Sequence, residues 1–127
     1  MNIADEKKIL ESFCKTIPAV IFGPDRVHYI LDNIDKLKEN ERLLLRKFYK
    51  KLLTNMIEKE ASDIEIGGHG NVGYVWMRIY GNKERVKEIA QFSNDESAVI
   101  IINLLNVSQR EQLAKKRNLD FSYTFLY

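Results

Sequence analysis

The sequence predicts an α+β fold: amino-terminal helices, then a mostly antiparallel sheet with helices packed on one of its faces. Three observations predict it. Apolar residues recur at helical spacing through residues 1–60. From Ala61 the period drops to two, in Asp63-Ile64-Glu65-Ile66 and again from Tyr74 to Tyr80. Two Ser-x-x-Glu patterns, at Ser93 and Ser108, then reopen helices. A period of 3.6 marks one buried face of a helix and a period of two one buried face of a strand.

The helices follow in order. Ile9, Phe13 and Ile17 form a stripe with Leu10 and Cys14 beside it, and Pro18 ends that helix. Gly23-Pro24-Asp25 restarts one, because the fixed φ of proline suits a first helical turn. Val27, Ile30, Leu31, Ile34 and Leu37 continue it at helical spacing. A third helix, from Glu41 to Lys59, puts Leu44, Leu45, Phe48, Leu52, Met56 and Ile57 on its buried side.

In the strand from Tyr74 to Tyr80, Val75, Met77 and Ile79 face one way, and Tyr74, Trp76, Arg78 and Tyr80 the other. Gly81-Asn82 reads as a turn, and Arg85 to Phe92 as a third, less regular strand. The helix headed by Ser93 holds Ala98, Val99, Ile102 and Leu105, although the β-branched run Ile100-Ile101-Ile102 also suits a strand. The helix headed by Ser108 holds Leu113 and ends near Asn118. The close, Leu119 to Tyr127, alternates as a strand whose Phe121, Tyr123 and Phe125 should lie against those two helices. Its open edge should pair with a neighbouring strand or a second copy of the chain, giving a dimer.

Composition excludes several classes. The 127 residues carry 20 basic and 18 acidic side chains, a formal charge of +2, so nothing demands nucleic acid or anionic lipid as a partner. Cys14 is the single cysteine; it rules out an internal disulfide and sits on the apolar stripe of its helix. The amino terminus is charged rather than apolar, and no apolar run is long enough to span a bilayer, so a cytoplasmic protein is expected.

The stretch Gly67-Gly68-His69-Gly70-Asn71-Val72-Gly73 contains G-x-G-x-x-G, a possible phosphate cradle. A Walker loop needs Lys-Ser/Thr after its last glycine, where Tyr74-Val75 stands here. A dinucleotide fingerprint needs a helix to follow, and a strand pattern follows instead. A kinase needs H-R-D and D-F-G, but Asp120-Phe121 is followed by Ser122. The loop therefore reads as a hinge between strands, with no cofactor in this chain and no ATP hydrolysis or tight ATP binding expected. His28 and His69 lack a second ligand at metal spacing, so neither a metal nor a catalytic residue is assigned. Arg42, Arg46, Lys47, Lys50 and Lys51 form a basic helix face, read as solvated rather than as a nucleic-acid site. Tyr74, Trp76, Arg78 and Tyr80 oppose the core face of their strand, and Trp and Tyr favour interfaces, so these four are the candidate interaction surface.

Residues 60–123 also resemble a family. Ala61-Ser62-Asp63, then Arg78-Ile79-Tyr80-Gly81, two helices, and Asp120-Phe121-Ser122-Tyr123 follow one another as in the amino-terminal domain of the hexameric ATPases of type IV pili, twitching motility and type II secretion. Glu65 stands where the family commonly has histidine, and the link Gly67–Gly73 is longer and richer in glycine. Helical spacing gives a helical segment over 1–58, which the resemblance does not cover; the resemblance implies a PAS-like α+β domain over 59–127, incomplete at its carboxyl end. It implies a non-catalytic module that packs on the ATPase domain of the same or an adjacent subunit and transmits motion around a hexameric ring. Membrane association would be indirect, through the pilus or secretion machine. ATP and Mg²⁺ belong to a full-length member, whose catalytic boxes would lie beyond Tyr123, so no catalytic residue carries over. The alternative is a stand-alone PAS-like regulatory or protein-interaction module.

Overall fold

A computed structural model describes residues 1–67, 71–116 and 118–123 of the chain. Its elements are α1 (Ala4–Cys14), α2 (Pro24–Asn33), a 3-10 turn (Ile34–Lys36), α3 (Glu39–Glu58), β1 (Ala61–Glu65), β2 (Trp76–Ile79), β3 (Asn82–Arg85), α4 (Asn94–Ile102) and α5 (Val107–Lys116). The fold is α+β, with the helices leading into one antiparallel sheet of order β1-β2-β3.

Local chemistry explains the boundaries. Gly23, at φ 55°, precedes Pro24 at the start of α2. The Lys38 N–H donates to Glu41 Oε1 at 2.8 Å, which starts α3 two residues before the expected Glu41. α4 opens with the expected capping box: Ser93 Oγ accepts from the Glu96 N–H, and Glu96 Oε1 accepts from the Ser93 N–H. That cap decides the ambiguous Ile100-Ile101-Ile102 run, which is helical. α5 starts earlier than expected. Asn106 and Gln109 exchange 2.8 and 2.9 Å cap bonds, so this pair, not Ser108 and Glu111, forms the box.

One apolar core joins the helices to the sheet. Leu10, Ile30, Ile34, Leu45, Phe48 and Leu52 from the helical segment are buried together with Val75, Met77, Phe92, Val99 and Ile100. The rings of Phe48 and Phe92 meet at 5.8 Å. Polar ties cross the same layers. Lys7 Nζ reaches Glu96 Oε2 at 2.8 Å and the Gln91 carbonyl at 3.0 Å, joining α1 to the start of α4. Asn103 is buried, accepting from Arg42 Nε at 2.9 Å and donating to the Arg42 carbonyl at 3.0 Å.

Four expectations are corrected. The strand expected over Tyr74 to Tyr80 is Trp76–Ile79, and the turn falls at Tyr80-Gly81 rather than Gly81-Asn82, because Asn82 pairs with Ile79 and opens the next strand. The third strand is Asn82–Arg85, not Arg85 to Phe92; residues 86–92 instead send Val86, Ile89 and Phe92 into the core at a spacing of three. Ile57 is 40% exposed, because the apolar stripe of α3 rotates away from the core in its last turn. No strand forms over Leu119 to Tyr123: Phe121 packs against the core, and the Tyr123 ring meets that of Tyr49 on α3 at 5.8 Å. Side-chain packing thus anchors this segment where ladder pairing was expected; residues 124–127 lie outside the described residues.

Candidate functional site

The sheet has two unlike faces. Inward, Val75 and Met77 are fully buried, with Ile64 and Ile79 packed beside them. Outward, the register sets Asp63 opposite Arg78, Glu65 opposite Trp76, Arg78 opposite Lys83 and Trp76 opposite Arg85. Residues directly opposite in a ladder share a face, so β1, β2 and β3 present one surface of alternating charge and ring. Trp76 and Tyr74 are half-buried there and Arg78 is exposed, whereas Tyr80, also exposed, lies in the hairpin turn at φ 49°.

Cations cover the rings. Lys83 Nζ lies 5.2 Å from the Trp76 ring centre and bonds Glu65 Oε2 at 3.0 Å, while the Arg85 guanidinium lies 4.4 Å from the Tyr74 ring centre. At the hairpin tip, Arg78 donates to the Gly81 carbonyl at 3.1 Å, and its Nε lies 3.9 Å from Asp63 Oδ2. Ser62 Oγ donates to Asp63 Oδ2 at 2.8 Å, and the β1–β2 register shifts between Ala61 and Asp63. Such a bulge re-aims side chains. The Tyr80 hydroxyl donates to Glu60, a bond that raises the Tyr80 pKa.

The antiparallel pairing of the consecutive strands β1 and β2 therefore gathers Ser62, Asp63, Arg78 and Gly81 at one end of the hairpin. Ala61 is half-buried, paired with Ile79. Asp120-Phe121-Ser122-Tyr123 is placed differently: Phe121 and Tyr123 pack inward, and Asp120 and Ser122 are exposed.

The glycine stretch enters β2 through a tight turn. The Asn71 carbonyl accepts from the Tyr74 N–H at 3.0 Å, with Val72 at φ 52° and Gly73 at φ 81° between them. A strand, not a helix, follows. Gly68, His69 and Gly70 lie outside the described residues. His28 is half-buried on α2. Of the basic residues on α3, Arg42 binds Asp35 and Asn103, and Arg46 binds Glu39, whereas Lys47, Lys50 and Lys51 are exposed. Cys14 is half-buried, and burial, with Asp95 and Glu96 adding to it, pushes its pKa from 9.0 to about 12.

Two features escape sequence reasoning. Asn71 is 6% exposed; besides the turn bond, it accepts from Trp76 Nε1 at 3.1 Å and from Lys83 Nζ at 2.9 Å, and it donates to the Gly67 carbonyl. It is the support beneath Trp76, and its one sequence signal is an asparagine inside a glycine-rich stretch. The second is the loop Pro18–Gly23, which holds Val20 and Phe22 more than three-quarters exposed. Arg26 fixes it by donating to the carbonyls of Pro18 and Ile21 while pairing with Asp95 at 2.8 Å.

Comparison with protein-family models, with curated proteins and with solved structures finds no match to this chain. Among the described residues, no helix is long and apolar enough to cross a membrane, and no three His, Cys, Asp or Glu side chains are grouped to hold a metal.

Proposed function

We propose that the chain is a non-catalytic, cytoplasmic assembly and motion-transmitting domain of a type IV pilus or type II secretion ATPase. Its outer sheet face would dock on the ATPase domain of the same or an adjacent subunit within a ring. One observation carries the reading. Asp63, Arg78 and Gly81, taken from two separate motifs of that family, converge at one end of the hairpin. They adjoin the face that presents Tyr74, Trp76 and Tyr80. A core domain needs no such cluster outside its core, whereas an interface centred on aromatic and arginine side chains does.

Packing weighs against the small-ligand alternative. The cluster that joins helices to sheet is apolar, and the buried polar residues Asn71, Glu96 and Asn103 are each hydrogen-bonded at separate places around it. Among the described residues, the buried side-chain polar atoms without a partner are Asn55 Oδ1 and Ser97 Oγ, on different helices. They do not form a polar set converging on one cavity.

The test is sedimentation of the chain with the P-loop ATPase core encoded in the same genome, that core stripped of its own amino-terminal domain. A complex is expected, and Trp76→Ala should weaken it by about 2 kcal/mol while the variant still unfolds cooperatively. No complex, or loss of the monomer's fold in Trp76→Ala, would refute the assignment of this face.

A further inference from the structure

Among the described residues nothing pairs with the outer edge of β3, and the chemistry of that edge says what fits it. β3 ends the strand order, and all four of its residues are exposed. The hairpin is closed by Tyr80 and Gly81, at φ 49° and 82°, the conformation that matches strand twist in a two-residue loop. In such a hairpin Ile79 and Asn82 exchange hydrogen bonds, and alternate pairs do so after them. The Val86 N–H, bonded to the Val75 carbonyl at 2.9 Å, keeps that alternation. The N–H and C=O of Lys83 and Arg85 therefore point away from β2, toward the open edge.

A second copy is a poor occupant. Residues opposite each other in an extended sheet must face the same way. If β3 paired antiparallel with itself about a two-fold axis, Lys83 would stand opposite Arg85 or Lys83 of the other copy. Centring the axis on Glu84 would also set that carboxylate against itself. Like charges directly opposite destabilise a pair, so the edge is protected against its own kind.

The same pattern favours an acidic partner. Lys83 and Arg85 lie on the outer face two residues apart, and Glu84 lies between them on the other face. Among the described residues Arg85 has no carboxylate within ion-pair distance; its guanidinium rests on the Tyr74 ring. Lys83 is shared between Glu65 and Asn71.

We propose that the β3 edge accepts an extended segment of a partner protein that carries two carboxylates two residues apart, with a neutral or basic residue between them. The partner's backbone would pair with Lys83 and Arg85, and its carboxylates would meet their side chains, as in strand-addition recognition. The inference uses the backbone edge of β3, which the assembly reading does not, although the side chains of Lys83 and Arg85 lie on the face that both share.

The probe is the peptide acetyl-Val-Glu-Thr-Glu-Val-amide, read by Trp76 emission as it is titrated into the full chain and, with a fluorophore in place of the acetyl group, by its own anisotropy. Lys83 sits over that ring, so a carboxylate that draws Lys83 away changes the emission. Saturable binding with a Kd on the order of 100 µM is expected. N-methylating the peptide amides that face the edge should weaken it at least about tenfold, and replacing both glutamates by lysine should do the same. With Arg85→Glu, whose fold is checked by its melting curve, the lysine peptide should bind better than the glutamate one. Any of three results would overturn the proposal: no binding at about 1 mM, equal binding of the N-methylated peptide, or an unchanged preference in Arg85→Glu. Tighter saturation by a single-stranded oligonucleotide would assign the surface to a different partner class.

Discussion

Replacing Gly73 by alanine separates a structural hinge from a phosphate cradle. Gly73 stands at φ 81°, where an L residue pays about 1–2 kcal/mol. An added Cβ would lie 2.7 Å from the Phe92 carbonyl oxygen and 3.5 Å from the Gln91 Cβ. The close contact is backbone, and it cannot rotate away. Nor can the two segments separate freely, because the Phe92 N–H donates to the Gly73 carbonyl at 2.7 Å, and Phe92 is itself locked against Phe48. Forcing that approach apart adds roughly 1–3 kcal/mol, the usual cost of overpacking. Gly73→Ala should thus lose about 3 kcal/mol, near 10 °C of melting temperature for a chain of this size. Gly81→Ala is the control. Its φ is 82°, but nothing lies within 4 Å of the added Cβ, so about 1 kcal/mol is expected. Urea unfolding followed by circular dichroism measures both. A Gly73→Ala variant within about 0.5 kcal/mol of the parent would refute the reasoning. So would a parent that binds a fluorescent ATP analogue with Mg²⁺ at micromolar affinity and a stable Gly73→Ala that does not.

Val72 is a β-branched residue at φ 52° and 69% exposed, so Val72→Asn should stabilise the chain by about 1 kcal/mol in the same urea assay, since asparagine tolerates that conformation. Asn103→Ala should cost about 2 kcal/mol, because it leaves Arg42 Nε and the Arg42 carbonyl without their partner. The Cys14 thiol has its pKa raised in the fold, so its contribution is fully present below about pH 9 and is lost as pH rises toward about 12. Cys14→Ala should flatten the fall in stability over that window, and native Cys14 should react with a thiol reagent at pH 8 far more slowly than the unfolded chain.

Legibility in the sequence followed burial. β2 was readable face by face because Val75 and Met77 are fully buried while Arg78 and Tyr80 are exposed, so the alternation is a record of the core. β3 was not, because Asn82-Lys83-Glu84-Arg85 is exposed throughout and carries no apolar period; the apolar residues after it, Val86, Ile89 and Phe92, plug the core from an irregular segment. The start of α5 was ambiguous since Asn106 with Gln109 and Ser108 with Glu111 offer the same capping chemistry, and three-dimensional context selects the first. The strand expected from Leu119 onward shows the limit of alternation. Phe121 and Tyr123 satisfy it by packing inward without a ladder. Of the candidate face, Trp76 and Arg78 were legible on β2, whereas Tyr74 precedes that strand and Tyr80 lies in the hairpin turn. The dependence of Trp76 on Asn71 was not legible, because a hub of four bonds exists only once Gly67, Trp76 and Lys83 have been brought around it.

Hydrogen exchange of the chain, alone and with the ATPase core, tests the assembly claim most directly. Slowed exchange of amides in residues 74–81 and in Ser62–Glu65 is expected when the core is added, with α1 and α2 unchanged. Protection confined to α1, α2 or the Pro18–Gly23 loop, with β1 and β2 exchanging as in the free chain, would contradict that claim.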